Sequence, residues 1–215
     1  MPELALMSYG IFGALAFGLR SVLQYMRTGS TGFRGLSGRR GSREWWAGRA
    51  FTFALAAALM APVADLAGWL PRLRFLDETG IAFTGLALAV AGTILVLVAQ
   101  MTMGDSWRIG VDQAERTGLV THGVFALVRN PIFSAMFIVV GGLALMVPSV
   151  LSIAAFVLLI LAIEAQVRIV EEPYLLRSHG DEYRAYAAKA GRFIPGVGRL
   201  SPAPPRADSP APRRR

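Results

Sequence analysis

Between Thr117 and Phe133 the chain reads Thr-Gly-Leu-Val-Thr-His-Gly-Val-Phe-Ala-Leu-Val-Arg-Asn-Pro-Ile-Phe, and further on stand Glu164, Arg168, Glu171 and Glu172. Both groups lie where strongly apolar segments begin or end. Polar groups at a membrane entrance are expensive and need partners or a task. Arg129-Asn130-Pro131 marks a helix start, because proline is tolerated in a first turn and the residue before it is biased away from helix. The first-turn N–H groups are left free. With Arg129 and the Asn130 amide they suit a ligand carboxylate. The same residues also describe a plain helix start with an interfacial arginine. Glu164 and Arg168 stand one helical turn apart, and Glu171 and Glu172 follow one turn later. Pairing with Arg168 is one account of Glu164, and a functional carboxylate is the other. Glu171 and Glu172 at the mouth suit a cationic ligand. Trp107 and Arg108 fit either a substrate entrance or an ordinary interfacial Trp–Arg pair.

The elements that must position these residues read as membrane helices. The 215 residues are 54% hydrophobic, with a mean hydropathy of +0.48, too apolar for an ordinary soluble domain of this length. Cysteine is absent, which excludes disulfides and thiolate metal sites. His122 and His179 are the only histidines, too few for a histidine-based metal centre. The net charge of +8 reads as arginines flanking spans, not as a nucleic-acid surface. Apolar runs of about the ~20 residues a bilayer needs cover Leu4 to Met26, Phe51 to Leu70 and Ile81 to Met101. Shorter runs cover Pro131 to Val147 and Leu151 to Ile169. The first begins at Glu3 without a basic leader and reads as a retained helix. Asp65 falls at the far end of the second span, and an interfacial position is expected for it. Thr28 to Gly48 is expected as a loop with an interfacial turn at Trp45 and Trp46.

The expected fold is all-α and integral to the membrane, with about five transmembrane helices. The last two form a C-terminal helical hairpin across Pro148 and Ser149, with Gly141 and Gly142 giving close approach inside it. Glu171 to Ala190 is expected as a cytoplasmic helical segment broken near Gly180. The chain divides into a three-span region (1–103), a candidate catalytic region (104–200) and a Pro/Arg-rich tail (201–215) expected to be disordered. Lys and Arg number six over 27–49, three over 104–130 and ten over 168–215, against two between the second and third spans. The positive-inside rule then puts the N-terminus outside and the C-terminus in the cytoplasm, with the inner (plasma) membrane as the expected location.

The quoted residues resemble a known family. Leu119-Val120-Thr121-His122-Gly123-Val124-Phe125, Arg129-Asn130-Pro131-Ile132-Phe133, Glu171-Glu172-Pro173-Tyr174-Leu175-Leu176, Gly180-Asp181-Glu182-Tyr183-Arg184-Ala185-Tyr186 and Ile194-Pro195 are similar to the isoprenylcysteine carboxyl methyltransferases. These are integral-membrane enzymes that use S-adenosylmethionine. The resemblance covers roughly 104–195; the first three spans match only as generic helices. It implies a cofactor site of Thr117, Gly118, Leu119, Val120, Phe125, Arg129, Asn130, Pro131, Ile132, Phe133 and Glu171. It implies catalytic or substrate roles for Arg108, Arg168 and Glu172. Asn130 stands where the family usually has histidine, and Phe125 where tyrosine is common. The substrate arginine of the eukaryotic members falls on Val167, with Arg168 beside it and about 100° away on a helix.

The implied reaction is methyl transfer to a lipophilic acceptor drawn from the bilayer. A carboxylate acceptor needs no general base, and alignment carries the catalysis. An alcohol, phenol or ammonium acceptor needs a base, for which Glu164, Glu171, Glu172 and His122 are candidates. The alternatives are an NADPH-dependent sterol or isoprenoid reductase of the same superfamily and a non-enzymatic membrane scaffold or transporter.

Overall fold

The computed structural model describes residues 1–33, 35, 38–110 and 118–201. Thr117 and the tail beyond Ser201 lie outside the described residues. Five long helices dominate: α1 Pro2–Thr28, α2 Arg43–Leu66, α3 Thr79–Met103, α4 Pro131–Met146 and α5 Val150–Ala187. Among the described residues there is no named strand, and backbone pairing outside helices is confined to two isolated bridges, Phe33 to Ile109 and Val128 to Gly191. The chain is an all-α membrane protein: four of the helices are long and apolar enough to cross a bilayer, and α4 is a shorter apolar helix.

Local chemistry sets the helix ends. Pro2 and Pro131 occupy first turns, where the missing N–H costs nothing. The Ser42 hydroxyl accepts from the Trp45 amide at 3.2 Å, so α2 begins at Arg43. This corrects the expected loop over Thr28 to Gly48, since Trp45 and Trp46 belong to the helix; a capping serine outweighs the glycine-rich composition before it. Ser149 and Ser152 form a reciprocal capping box at the start of α5, which fixes the hairpin break at Pro148. Gly29 (φ 72) and Gly104 (φ 55) end α1 and α3 in conformations that disfavour side chains.

Helix α5 contains 38 residues, against the ~20 that cross about 30 Å of hydrocarbon. Its part beyond residue 169 therefore projects past the apolar slab. The expected charged segment from Glu171 is this projection. It joins the span through a π turn, Val167–Glu171, and breaks at Gly180 (φ 53, ψ −122).

Helix α4 is shared by two cores. One joins Ala5, Phe12 and Ala16 of α1 and Ala89 and Val96 of α3 to Met136, Val139 and Leu143 of α4. The other joins Ala54 and Ala58 of α2 and Leu159 and Ile163 of α5 to Val140 of α4. Helices from both sides of residue 103 thus meet in each of the two cores. Ile11, Phe53, Phe83, Ile94, Val157 and Leu161 remain exposed, as side chains facing lipid should be. At the end of the bundle away from Pro131, Arg72 grips Asp65 with two bonds of 2.8 and 2.6 Å.

Gly142 does not serve the α4–α5 hairpin as expected. A Cβ placed there stands 2.5 Å from the Gly85 carbonyl oxygen and 2.7 Å from the Ala89 nitrogen of α3, and one on Gly92 stands 2.8 Å from the Val139 nitrogen. Gly85, Ala89 and Gly92 form a small-residue seam at helical spacing, and α4 presses its backbone against it. Of the two, only Gly141 faces the hairpin, where an added Cβ would stand 3.4 Å from the Phe156 ring. Gly142→Leu is expected to cost about 1–3 kcal/mol or more by overpacking, read as a lowered thermal midpoint in detergent. Gly141→Ala should stay close to wild type, and equal midpoints for the two variants would refute the seam.

Candidate functional site

Leu127 still has helical angles (φ −89, ψ −47), but Asn130, directly before Pro131, has left that region at φ −126 and ψ 58, as a pre-proline residue is biased to do. The backbone groups of this stretch find partners in a segment far along the chain. The Arg129 amide donates to the Gly191 carbonyl at 2.7 Å, the Asn130 amide to Arg192 at 3.1 Å, and Gly191 returns a bond to Leu127 at 3.1 Å. Gly191 has to be glycine, because a Cβ would stand 2.0 Å from the Ile194 carbonyl oxygen. The Asn130 side-chain amide also donates to Arg192 (3.1 Å), and the Ser134 hydroxyl to the Phe193 carbonyl (2.7 Å). Tyr186 donates to the Phe125 carbonyl at 2.7 Å.

Arg129, with a side chain only 1% exposed, is the centre of this closure. Its guanidinium donates to the carbonyls of Ala187 (3.1 Å), Ala190 (2.7 Å) and Gly198 (3.0 Å) and to Glu172 Oε1 (2.7 Å). A cation here also meets the negative end of α5. Glu172 is gripped a second time by Arg192, at 2.8 and 3.0 Å. Burial pushes the Glu172 carboxyl up, but the hydrogen bonds from Arg192 and Arg129 outweigh it and hold the carboxyl below the usual range.

Glu171 has the opposite setting. Successive helical residues diverge by about 100°, so it points away from that triad. Desolvation raises its carboxyl to about 7; Arg108 pulls the other way, and Glu172 adds to the rise. Arg108 reaches the Tyr174 hydroxyl at 3.2 Å and lies 5.4 Å from the centroid of that ring. Glu171, Arg108 and Tyr174 thus form one polar cluster beside the clamp. Arg168 is elsewhere: its side chain is 58% exposed and pairs with Glu164 along the helix, while Val167 is fully buried.

Residues 81–182 match the family model of the phospholipid methyltransferases. A probable protein-S-isoprenylcysteine O-methyltransferase of Oryza sativa subsp. indica is 30% identical over 119 residues, covering 54% of this chain and 62% of its own length. Protein-S-isoprenylcysteine O-methyltransferase A of Arabidopsis thaliana is 32% identical over 115 residues, covering 53% of this chain and 58% of its own. The chain thus spans about three fifths of the length of these curated relatives. The solved eukaryotic intramembrane Ras methyltransferase ICMT (isoprenylcysteine carboxyl methyltransferase) shares the fold, with a TM-score of 0.56 at 22% identity over 94% of this chain and 70% of that one. The chain is similar to the isoprenylcysteine carboxyl methyltransferases in sequence over about half its length and in fold over nearly all of it. The family match begins within α3, so it takes in the third span as well as the two that follow.

Within this methyltransferase-like frame the expected residues separate by surroundings. Phe125 and Pro131 are buried, Leu119, Val120 and Asn130 half-buried, and Gly118 exposed. Ile132 and Phe133 are half-buried and pack on the α1–α3–α4 core, with Phe133 meeting the Phe51 ring edge-on at 6.2 Å. Arg129 and Glu172 are brought to the site but are spent on each other and on Arg192. Sequence reading missed Arg192, Ser134 and Tyr186. Arg192 stood two residues before the matched Ile194-Pro195 pair, the one signal that could have pointed to it.

Removing one partner of a buried ion network leaves uncompensated charge. Glu172→Ala is therefore expected to lower stability by about 3–5 kcal/mol, measured by denaturant unfolding in micelles. The depressed Glu172 carboxyl contributes stability that is full above its unfolded pKa of about 4.3 and lost as pH falls through the lower folded value. Glu172→Gln should remove that part of the acid sensitivity, and an unchanged acid profile would count against the triad.

Proposed function

We propose that the chain is an integral-membrane methyltransferase that moves a methyl group from S-adenosylmethionine to a lipophilic acceptor bearing a carboxylate. The observation that carries this reading is the cluster of Glu171, Arg108 and Tyr174 at the end of an apolar bundle, next to a glutamate already neutralised by two arginines; desolvation raises the Glu171 carboxyl to about 7. A carboxyl in that state is poised to gain a cation, and the cofactor's sulfonium and amino groups are cations. The names of the curated relatives support the reaction class.

The fit extends to the surrounding residues. Phe125, Leu119 and Val120 supply apolar surface close in the chain to Thr117 and Gly118. The first-turn N–H groups of Ile132 and Phe133 lack intrahelical partners by position, and the Asn130 Oδ1 is an acceptor. Pro131 fixes the angle at which that turn faces the site. Arg129 and Glu172 hold these walls together and do not themselves touch the reacting atoms. Bound there, S-adenosylmethionine supplies an electrophilic methyl group. The chain's own part is alignment, which an in-line displacement chiefly requires. Arg108, adjacent to Glu171, orients the acceptor carboxylate, which already bears its charge and needs no proton removed. Arg168, facing outward, is left to its pair with Glu164. The distribution of Lys and Arg supports a cytoplasmic site in the inner membrane with the N-terminus outside, so that a cytosolic cofactor and a bilayer-borne acceptor meet at the interface.

Calorimetry on the detergent-purified protein tests this with S-adenosylmethionine, its demethylated product and NADPH. Binding of the first two is expected; binding of NADPH alone would indicate a reductase, and no binding a scaffold. A cationic ligand favours ionised Glu171, so binding releases a proton when the free carboxyl is protonated. Affinity should therefore fall as pH drops below about 7, and Glu171→Gln should abolish that slope and weaken binding about 10- to 100-fold, as for a lost charge-assisted bond. A pH-independent wild-type affinity sinks the assignment. Labelled-methyl transfer onto a lipid extract, followed by mass spectrometry, identifies the acceptor.

A further inference from the structure

The first helix carries two of the most deeply buried polar side chains in the protein. Arg20 is 2% and Gln24 3% exposed. Neither belongs to the cofactor or acceptor residues above, and polar groups of this kind inside a membrane helix have to be explained. Immediately before Arg20 the helix passes through a π turn, Ala14–Leu19. The wider turn shifts the register of the helix beyond it, so Arg20 and Gln24, one turn apart, both face inward.

Both reach the segment that ends α3. Arg20 Nη2 donates to the Gly104 carbonyl, and the guanidinium lies 4.7 Å from the centroid of the Trp107 ring. The Gln24 amide donates to the Asp105 carbonyl at 2.8 Å. The loop after α1 adds a third hold, with the Ile109 amide donating to Gly32 at 2.8 Å. A Cβ on Gly32 (φ 75) would stand 3.0 Å from the Trp107 ring, so the indole is covered there too and is only 3% exposed. The next residue is Arg108, which meets Tyr174 and acts on Glu171.

We propose that Arg20 is a positioning residue: by holding Gly104 and the Trp107 ring it sets the direction in which Arg108 meets the anionic head of the acceptor. This rests on the functional reading above. The interaction is not optimised for stability, because Arg20 Nε and Nη1 are buried without hydrogen-bond partners. A buried charge satisfied in part costs folding energy, and a planar guanidinium over an indole has a geometry that a lysine ammonium reproduces only in charge. Arg20 is thus retained at the expense of stability, as residues serving function are.

The test uses the full chain with Trp107 as its sole tryptophan (W45F/W46F/W69F), comparing Arg20→Met and Arg20→Lys. The probe acceptor is an S-isoprenylated cysteine with a free carboxylate. In Arg20→Met the acceptor KM is expected to rise about tenfold or more, as for a misaligned reactant, with cofactor affinity within about twofold of wild type. The Trp107 emission should change in the same variant, the thermal midpoint should hold or rise, and Arg20→Lys should restore part of both signals. An unchanged KM and unchanged Trp107 emission in Arg20→Met overturn the proposal. So does a KM effect that comes only with a lowered midpoint and lost cofactor binding, since that is a merely structural role. A wild-type chain that binds no S-adenosylmethionine instead strikes the functional reading, and the Trp107 emission still reports whether Arg20 holds the ring.

Discussion

The site end of the molecule depends on one carboxylate. Glu172 receives Arg129 from the start of α4 and Arg192 from the segment after α5. Three parts of the chain, separated by 43 and 20 residues, are thereby held at one point. Arg129 extends the closure by filling three carbonyls around the end of α5. Ion pairs out of water do not stabilise a fold merely by existing, because desolvation can exceed the attraction. Here Arg192 binds both carboxylate oxygens and Arg129 fills three carbonyls besides, although its Nε stays buried without a partner. The adjacent Glu171 faces the other way and keeps a carboxyl that burial has raised. Neighbouring residues of one type thus do different work because a helix turns them apart.

The frame behind this point is built for close approach. Helix α4 is about 24 Å long at 1.5 Å per residue, too short to span a typical bilayer core upright, and it sits between two cores. Its backbone meets α3 along glycines and alanines, where dispersion and packing hold helices that gain little from the hydrophobic effect in lipid. Two π turns interrupt otherwise regular helices, one before Arg20 and one ending at Glu171. Arg20 directly follows the first and Glu171 is the last residue of the second, and π turns occur often at such places. The second also answers the register problem around Val167 and Arg168: the site-facing charge stands at the end of the wide turn, at Glu171, and Arg168 is left on the outer face.

The apolar runs, the helix start at Pro131, the break at Pro148 and the break at Gly180 arise from interactions within a few residues and were legible in the sequence. Of the two accounts open for Glu164, the structure shows the pairing with Arg168. The motif residues also pointed to the family, because their order and spacing are properties of the chain. The expected loop over Thr28 to Gly48 failed at its far end, where one serine cap decided the boundary against composition.

The sequence by itself determined the membrane class, the helices and the residue types available for binding a charged cofactor. Only the tertiary structure decided what each polar residue does. Nothing within a few residues of Arg192 points to Glu172, and nothing near Arg20 in the chain points to Gly104 and Trp107; folding brings each pair together. The physical reason is the same in both cases. A charge in a nonpolar surrounding is governed by whichever partner lies within a few ångströms, and those partners stand 20 and 84 residues away. The opening stretch from Thr117 to Phe133 shows the division clearly: its helix start was written in Asn130-Pro131, but the clamp that shapes it comes from the other end of the chain.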